Sequence, residues 1–193
     1  ETGTASLAEK IDYIMSLDLP IEKKNLLANN LTEREEPIDL TGYEQYGNYK
    51  EFDFAKKYPE KYAFLQDHNI SVSEYENFDE DTKSAYTWAS KNPAKYTVSK
   101  AISDDLMTYM SYTNALYDIK ADKDGKSISG SRKEKVIDYI NNLDADYGQK
   151  IILFKTEYPS DDTYNYEIID YLNGRDDISY SDMVTILKEL GFT

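Results

Sequence analysis

A helical hairpin pattern that occurs three times constrains the fold of this chain more than any other sequence feature. Within residues 135–154, Ile137, Ile140 and Leu143 recur at helical spacing, and a second apolar cluster follows a short acidic break. The same motif begins at Ile11, at a constant offset of 126 residues, and a third copy begins at Ile168 with one residue inserted in the turn. We therefore predict three copies of one helix-turn-helix hairpin.

The two most similar copies match in residue type and in spacing. The residues Ile11-Asp12-Tyr13-Ile14, Leu17-Asp18, Lys24 and Leu27 correspond to Ile137-Asp138-Tyr139-Ile140, Leu143-Asp144, Lys150 and Leu153. Pro20 is well placed to open the second helix of the first copy, because its fixed φ suits the first turn. The shared positions define a packing pattern and contain no catalytic chemistry.

A second internal repeat lies between these hairpins, at an offset of 34 residues. Phe54-Ala55 and Pro59 correspond to Trp88-Ala89 and Pro93, so each copy is expected to end one helix and to open another at the proline. From Pro93 the apolar periodicity continues to Ile119, which predicts one long central helix. With only two copies visible, we predict an all-α, irregular helical bundle rather than a long solenoid.

The predicted organisation has two helical parts joined by a loop. Residues 1–3 (Glu-Thr-Gly) resemble the scar left by a eukaryotic secretion vector, so the fold prediction excludes them. An N-terminal helical subdomain is expected over 4–119, with a connecting loop at 32–48 where periodicity is lost. Residues 120–132 have loop composition and are predicted to form a subdomain joint or a mobile loop, and the C-terminal hairpins occupy 133–193.

Composition excludes several classes of function. The 37 acidic and 22 basic residues give a net charge of −15, which repels phosphate backbones and anionic lipid surfaces, so we expect neither nucleic acid nor a membrane as partner. The chain has no cysteine, and therefore no disulfide, thiolate metal site or cysteine nucleophile. No apolar run reaches the roughly 20 residues that a membrane-spanning helix needs.

Catalytic and metal-binding patterns are weak throughout. The single histidine, His68, lies in a polar stretch at a predicted helix end, where a capping role is favoured over catalysis. Asp122 and Asp124 resemble part of a calcium loop, but Lys120 and Ser131 occupy two positions that should carry ligands. Paired acidic residues are typical of solvated faces in so acidic a chain. We expect no enzyme activity, no cofactor and no bound metal.

Tyrosine is the strongest compositional anomaly, with 19 residues against one tryptophan. These side chains either fill a core that is short of Phe and Leu, or form a protein-binding surface, and both can hold at once. Two groups lie where periodicity predicts the least burial, and they are the candidate protein-binding residues: Tyr43, Tyr46 and Tyr49 in the first loop, and Tyr158, Tyr164 and Tyr166 around Pro159.

Several segments together resemble one family: Phe54-Ala55 through Asp67, Asp79-Glu80-Asp81-Thr82, Ser99-Lys100-Ala101, Leu116 through Lys123, and Gly130 through Phe192. The resemblance is to the C-terminal helical region of large structural proteins of prophages and mobile elements in gut Firmicutes, of the tail tape-measure type. It implies a non-enzymatic structural or interaction module.

Two functions follow as expectations from the resemblance and from the composition. The first is a protein-binding module of a larger bacterial or phage protein, and the secretion-type scar at residues 1–3 favours an extracellular host protein, such as immunoglobulin, as its partner. The alternative is a virion or tail scaffold domain that contacts phage structural proteins. The corresponding locations are the extracellular space, the bacterial cell surface or the virion.

Overall fold

The computed structural model describes residues 5–32, 36–121 and 131–193, and all regular secondary structure in these ranges is helical. The predicted all-α fold class is therefore confirmed. Residues 1–3 and nearly all of the predicted joint, including Asp122 and Asp124, lie outside the described ranges. The helices are α1 (Leu7–Ser16), α2 (Ile21–Asn29), α3 (Tyr49–Lys57), α4 (Pro59–Asp67), α5 (Val72–Asn77), α6 (Glu80–Lys91), α7 (Pro93–Ile102), α8 (Leu106–Ala121), α9 (Arg132–Asn141), α10 (Tyr147–Glu157), α11 (Asn165–Asn173) and α12 (Tyr180–Glu189), with a short 3-10 helix at Tyr43–Gln45.

The chain divides into two compact units, Glu1–Phe78 and Asp79–Thr193. This boundary differs from the predicted joint at 120–132. The helices on either side of that joint, α8 and α9, pack against each other inside the second unit. Loop composition alone did not reveal this contact, because it depends on the apolar faces of the two flanking helices.

The core of the first unit combines helices with part of the predicted loop 32–48. Ile38 and Leu40 are buried beside Ile11 in one apolar cluster. Two side-chain amides hold the loop in place: Asn29 exchanges hydrogen bonds with the backbone of Ile38, at 2.7 and 2.9 Å, and Asn25 Oδ1 accepts one from Leu40 N–H at 2.9 Å. Burying this backbone is tolerated because its polar groups are paired.

Both copies of the 34-residue repeat form a helix, a one-residue turn and a second helix that begins at a proline. The turn residues Tyr58 and Asn92 have nearly the same backbone conformation, with φ −136° and ψ 63°, and φ −135° and ψ 57°. Pro59 and Pro93 stand at the first helical position, as predicted, where a missing N–H costs nothing.

In the second unit, α10 packs against α7, α9 and α11, and α12 packs mainly against α7. The α9–α10 hairpin is closed by a hydrogen bond from Lys150 Nζ to Asn141 O at 2.9 Å. In the first unit, Lys24 Nζ donates to Met15 O at 2.8 Å across the α1–α2 hairpin. Lys150 corresponds to Lys24 and Asn141 to Met15, each at the offset of 126 residues. The two matching sequences therefore close their hairpins with the same hydrogen bond.

The prediction of one long helix from Pro93 to Ile119 is wrong. The helix ends at Ile102, and α8 begins at Leu106. Ser103 is extended, and the Asp105 carboxylate accepts hydrogen bonds from the N–H groups of Met107 and Thr108, both at 3.1 Å. This side chain satisfies two of the backbone donors that a new helix leaves unpaired. The apolar periodicity continued across the break and concealed it.

Candidate functional site

The first predicted tyrosine group belongs to the core of the first unit. Tyr49 is only 5% exposed, so the expectation that it lies outside the core is wrong. Tyr43 and Tyr46 are half-buried and pack against the same apolar cluster, with both rings near Phe52. These side chains stabilise the unit and offer little free surface.

A half-buried carboxylate helps to hold this group inside. Asp12 Oδ1 accepts hydrogen bonds from the Tyr43 hydroxyl at 2.5 Å and from the Tyr49 backbone N–H at 2.6 Å. Burial, followed by the hydrogen bond to Asp12, raises the pKa of Tyr43 above its ordinary value. The phenol therefore stays neutral and acts as a donor that ties the loop to α1.

The second predicted group surrounds a groove in the second unit. The floor consists of Ile140, Ile151 and Phe154, and one edge is formed by Ile137, which is 37% exposed. Two tyrosines form its walls, Tyr147 on α10 and Tyr164 before α11. We call this the tyrosine groove; its volume is about 210 Å³ and its remaining lining residues are Lys133, Asn141, Lys150 and Thr163.

The two walls are positioned by edge-to-face ring contacts. The Tyr164 ring lies 6.4 Å from Tyr147 and 5.8 Å from Phe154, with interplanar angles of 88° and 86°. Such contacts contribute about 0.5–1.5 kcal/mol beyond the buried area. Tyr164 also has φ +70°, a left-handed conformation that is unfavourable for a bulky side chain. The surrounding contacts hold a strained residue at the groove wall.

Tyr158 has a supporting role beneath the groove. Its ring is half-buried 5.2 Å from Phe154. Lys133 Nζ lies 5.4 Å from the centre of the Tyr158 ring and 2.6 Å from Asp161 Oδ2. The hydrogen bond from Lys133 holds the pKa of Asp161 well below its usual range, so this ion pair persists at neutral pH. Tyr166, by contrast, is 84% exposed on α11.

The charge of the groove differs from that of the chain. Its lining contains two lysines and no carboxylate, although the whole protein has a net charge of −15. Lys133 is paired with Asp161. Lys150 donates to the carbonyl of Asn141, and its ammonium has no carboxylate partner within the described ranges. One cation at the edge of an apolar groove thus remains uncompensated.

His68 caps a helix, as predicted. It is the residue after α4, and its Nδ1–H donates to Phe64 O at 2.7 Å while its ring stacks 4.2 Å from the Phe64 ring. Among the described residues, no group of three or more His, Asp or Glu side chains is arranged to hold a metal ion. Among all the helices that the structure describes, none is both long enough and apolar enough to span a bilayer.

Sequence reasoning missed Tyr147, Lys133 and Lys150 as groove residues. Tyr147 is 62% exposed at the first position of α10, directly after the capping residue Asp146. Of the six predicted tyrosines, only Tyr164 lines the groove. Tyr158 packs against Phe154 of its floor, and Tyr166 follows Tyr164 by two residues along the chain. The sequence places Tyr147 directly after a helix-capping residue, Asp146. Its exposure at the groove depends instead on how α9, α10 and α11 pack, which this local pattern does not indicate.

Comparison with known proteins identifies no relative. No protein-family model, curated protein or solved structure matches this chain. The resemblance to tail structural proteins of prophages therefore stays a prediction.

Proposed function

We propose that this protein is a non-enzymatic protein-binding module and that the tyrosine groove receives an apolar side chain of its partner. The observation that carries the proposal is the pair of tyrosine walls, Tyr147 and Tyr164, in edge contact above an apolar floor. Tyrosine is enriched at protein interfaces because it offers a large contact area at a low cost in side-chain entropy.

The size of the groove favours a protein side chain over a separate small ligand. Pockets for small molecules commonly enclose roughly 300–1,000 Å³, whereas the tyrosine groove encloses about 210 Å³. A volume of this size suits one large side chain, the usual form of an interface anchor. The exposed Ile137 adds apolar contact surface at the groove edge, and Tyr166, two residues after Tyr164, is a further exposed side chain outside the groove.

The charges of the groove favour one kind of anchor. A carboxylate next to the apolar side chain would pair with the Lys150 ammonium, which has no acidic partner among the described residues. We therefore expect the partner to present a large apolar residue beside an aspartate or glutamate. Immunoglobulin is the first host protein to test, and phage structural proteins are the alternative class.

Peptide display tests this proposal without assuming a partner. Peptides selected on the immobilised full chain should be enriched in an apolar residue next to an acidic one. Their affinity should fall by about tenfold or more on Tyr147→Ala, the cost expected for an interface anchor. Lys150→Gln should weaken the acidic peptides and leave matched amide peptides unchanged. Purified serum and mucosal immunoglobulin form a second arm with the same variants.

Tyr180→Ala is the matched control, because Tyr180 is 78% exposed on α12 and does not line the groove. It should leave both peptide binding and the melting temperature unchanged. Tyr147→Ala should lower the melting temperature only slightly, because its ring is largely exposed and loses one ring contact, the one with Tyr164. Selected peptides that bind Tyr147→Ala and wild type equally would contradict the proposal, as would loss of binding seen only in unfolded variants.

A further inference from the structure

A second cavity in the same unit lies apart from the tyrosine groove and has a different chemistry. It encloses about 400 Å³, within the range of small-ligand sites. Its walls include the rings of Trp88 on α6 and Tyr109 on α8, whose centroids are 6.5 Å apart with an interplanar angle of 47°. Two carboxylates, Glu157 on α10 and Glu189 on α12, complete what we call the acidic-aromatic pocket.

Tyr109 is the buried polar group of this pocket. Its side chain is only 3% exposed, and its hydroxyl forms no hydrogen bond with any described residue. Burial raises its pKa to about 12, and the charges of Glu157 and Glu189 act in the same direction. The hydroxyl therefore lies near both carboxylates and stays neutral. The side chain is thus buried while its hydroxyl, which is not among the fully enclosed polar atoms of the described residues, is left unpaired and available to a ligand or an ordered water.

The two carboxylates are not equally compensated. Glu157 Oε2 is buried and forms no hydrogen bond, but it lies 3.0 Å from Lys120 Nζ. Glu189 is exposed at the rim of the pocket and has neither an ion pair nor a side-chain hydrogen bond within the described chain. Lys95 is exposed at the pocket wall and is also unpaired there. The pocket thus has one unpaired carboxylate, that of Glu189, next to two aromatic rings. Lys95 is the one positive charge in the lining that would repel an entering cation.

We infer that the acidic-aromatic pocket binds an organic cation, the guanidinium or ammonium group at the end of an alkyl chain. Glu189 would pair with the charge, the Tyr109 oxygen would accept one N–H, and the Trp88 ring would lie against the cation or its alkyl stem. An aromatic face attracts such cations electrostatically, and more strongly when water is excluded. The site is separate from the tyrosine groove, so its test is independent of the function proposed above.

Trp88 is the only tryptophan of the chain, and its fluorescence reports on this pocket alone. The probe is N-acetyl-arginine amide, titrated into the full chain at constant ionic strength. The control probe is N-acetyl-citrulline amide, which has nearly the same shape and no charge. We expect a saturable change in Trp88 emission with the arginine probe and none with the citrulline probe over the same concentration range.

Two variants should shift this affinity in opposite directions. Glu189→Gln should weaken the arginine probe by about two- to fivefold, the loss expected for an ion pair with an exposed carboxylate. Lys95→Gln should tighten binding, because it removes the competing positive charge. Asp176→Asn, which alters an exposed carboxylate outside the pocket, should change nothing. Circular dichroism confirms that each variant is folded before titration.

Equal responses to the arginine and citrulline probes would overturn the inference, and so would unchanged affinity in Glu189→Gln. The source of the cation is separated by comparing butylguanidinium with a blocked Gly-Gly-Arg-Gly-Gly peptide. Binding of both identifies an arginine side chain on a protein as an accessible source. Binding of butylguanidinium alone identifies a free small cation.

Discussion

Replacing Gly148 by alanine should destabilise the second unit, although alanine is the better helix former. A Cβ built at Gly148 would lie 2.1 Å from Tyr171 Cδ2, whereas ordinary contacts begin near 3.4 Å, so the ring would have to move by about 1.3 Å. Alanine gains up to about 1 kcal/mol over glycine in a helix, and less at the second position of α10, where Gly148 lies, whereas overpacking costs about 1–3 kcal/mol. Because the Tyr171 ring also contacts Arg175, we expect the upper end, a net loss of about 2 kcal/mol.

Urea unfolding followed by circular dichroism measures this change, with Gly174→Ala as the matched control. A Cβ at Gly174 would meet no atom closer than 3.5 Å, and its backbone is right-handed, so alanine should be neutral or slightly stabilising there. In a Tyr171→Ala background, Gly148→Ala should become stabilising by at most about 1 kcal/mol, because Gly148 lies in the first turn of α10. A Gly148→Ala protein at least as stable as wild type would refute the steric argument.

Two smaller predictions test the corrected parts of the fold. Asp105→Ala should cost about 0.5–2 kcal/mol by removing the cap of α8; Thr108→Val, which keeps the backbone bonds, should cost less. The hydrogen bond from the Thr108 hydroxyl is the largest cause that lowers the pKa of the Asp105 carboxyl below its ordinary value of 3.8. The stabilisation that this carboxylate provides is therefore present above pH 3.8 and is lost as the pH falls through the lowered pKa. Acid unfolding should accordingly be shallower in Asp105→Ala than in the wild type. Tyr43→Phe should lower the free energy of unfolding of the first unit by about 1.5–3 kcal/mol, because the Asp12 carboxylate loses a hydrogen-bond donor. Calorimetry should show a lower melting temperature. Unchanged stability would mean that water replaces the phenol.

Local chemistry predicted those parts of the fold in which one residue decides the backbone. Pro59 and Pro93 could open helices only at their first turn, and both do. Asp79 accepts from Thr82 N–H at 2.7 Å and starts α6, as its acidic segment indicated. The break before α8 also had a local signal, Ser103-Asp104-Asp105, but an uninterrupted apolar period outweighed it. Capping chemistry should therefore take precedence over periodicity when a predicted helix exceeds five or six turns.

Burial was harder to predict, because it depends on contacts between distant segments. Ile11 and Ile137 occupy the same position in the two matching hairpins, yet Ile11 is fully buried and Ile137 is 37% exposed. The two hairpins differ at the preceding position, where the exposed Lys10 corresponds to the fully buried Val136, so α9 buries a different face from α1. The burial of the loop tyrosines was predicted wrongly because it also depends on another segment. Asn25 and Asn29 of α2 hold that loop against the core through hydrogen bonds to its backbone.

One residue of the groove could nevertheless have been found by comparing the copies. The position equivalent to Tyr147, 126 residues earlier, is Ile21, which packs partly buried against the core of the first unit. An aliphatic residue suits that core, whereas the second copy places an aromatic ring with a polar end at 62% exposure. Packing alone does not require a tyrosine at so exposed a position. Differences between otherwise matching repeats therefore indicate where a hairpin has gained a surface role, and Tyr147 is the clearest such difference here.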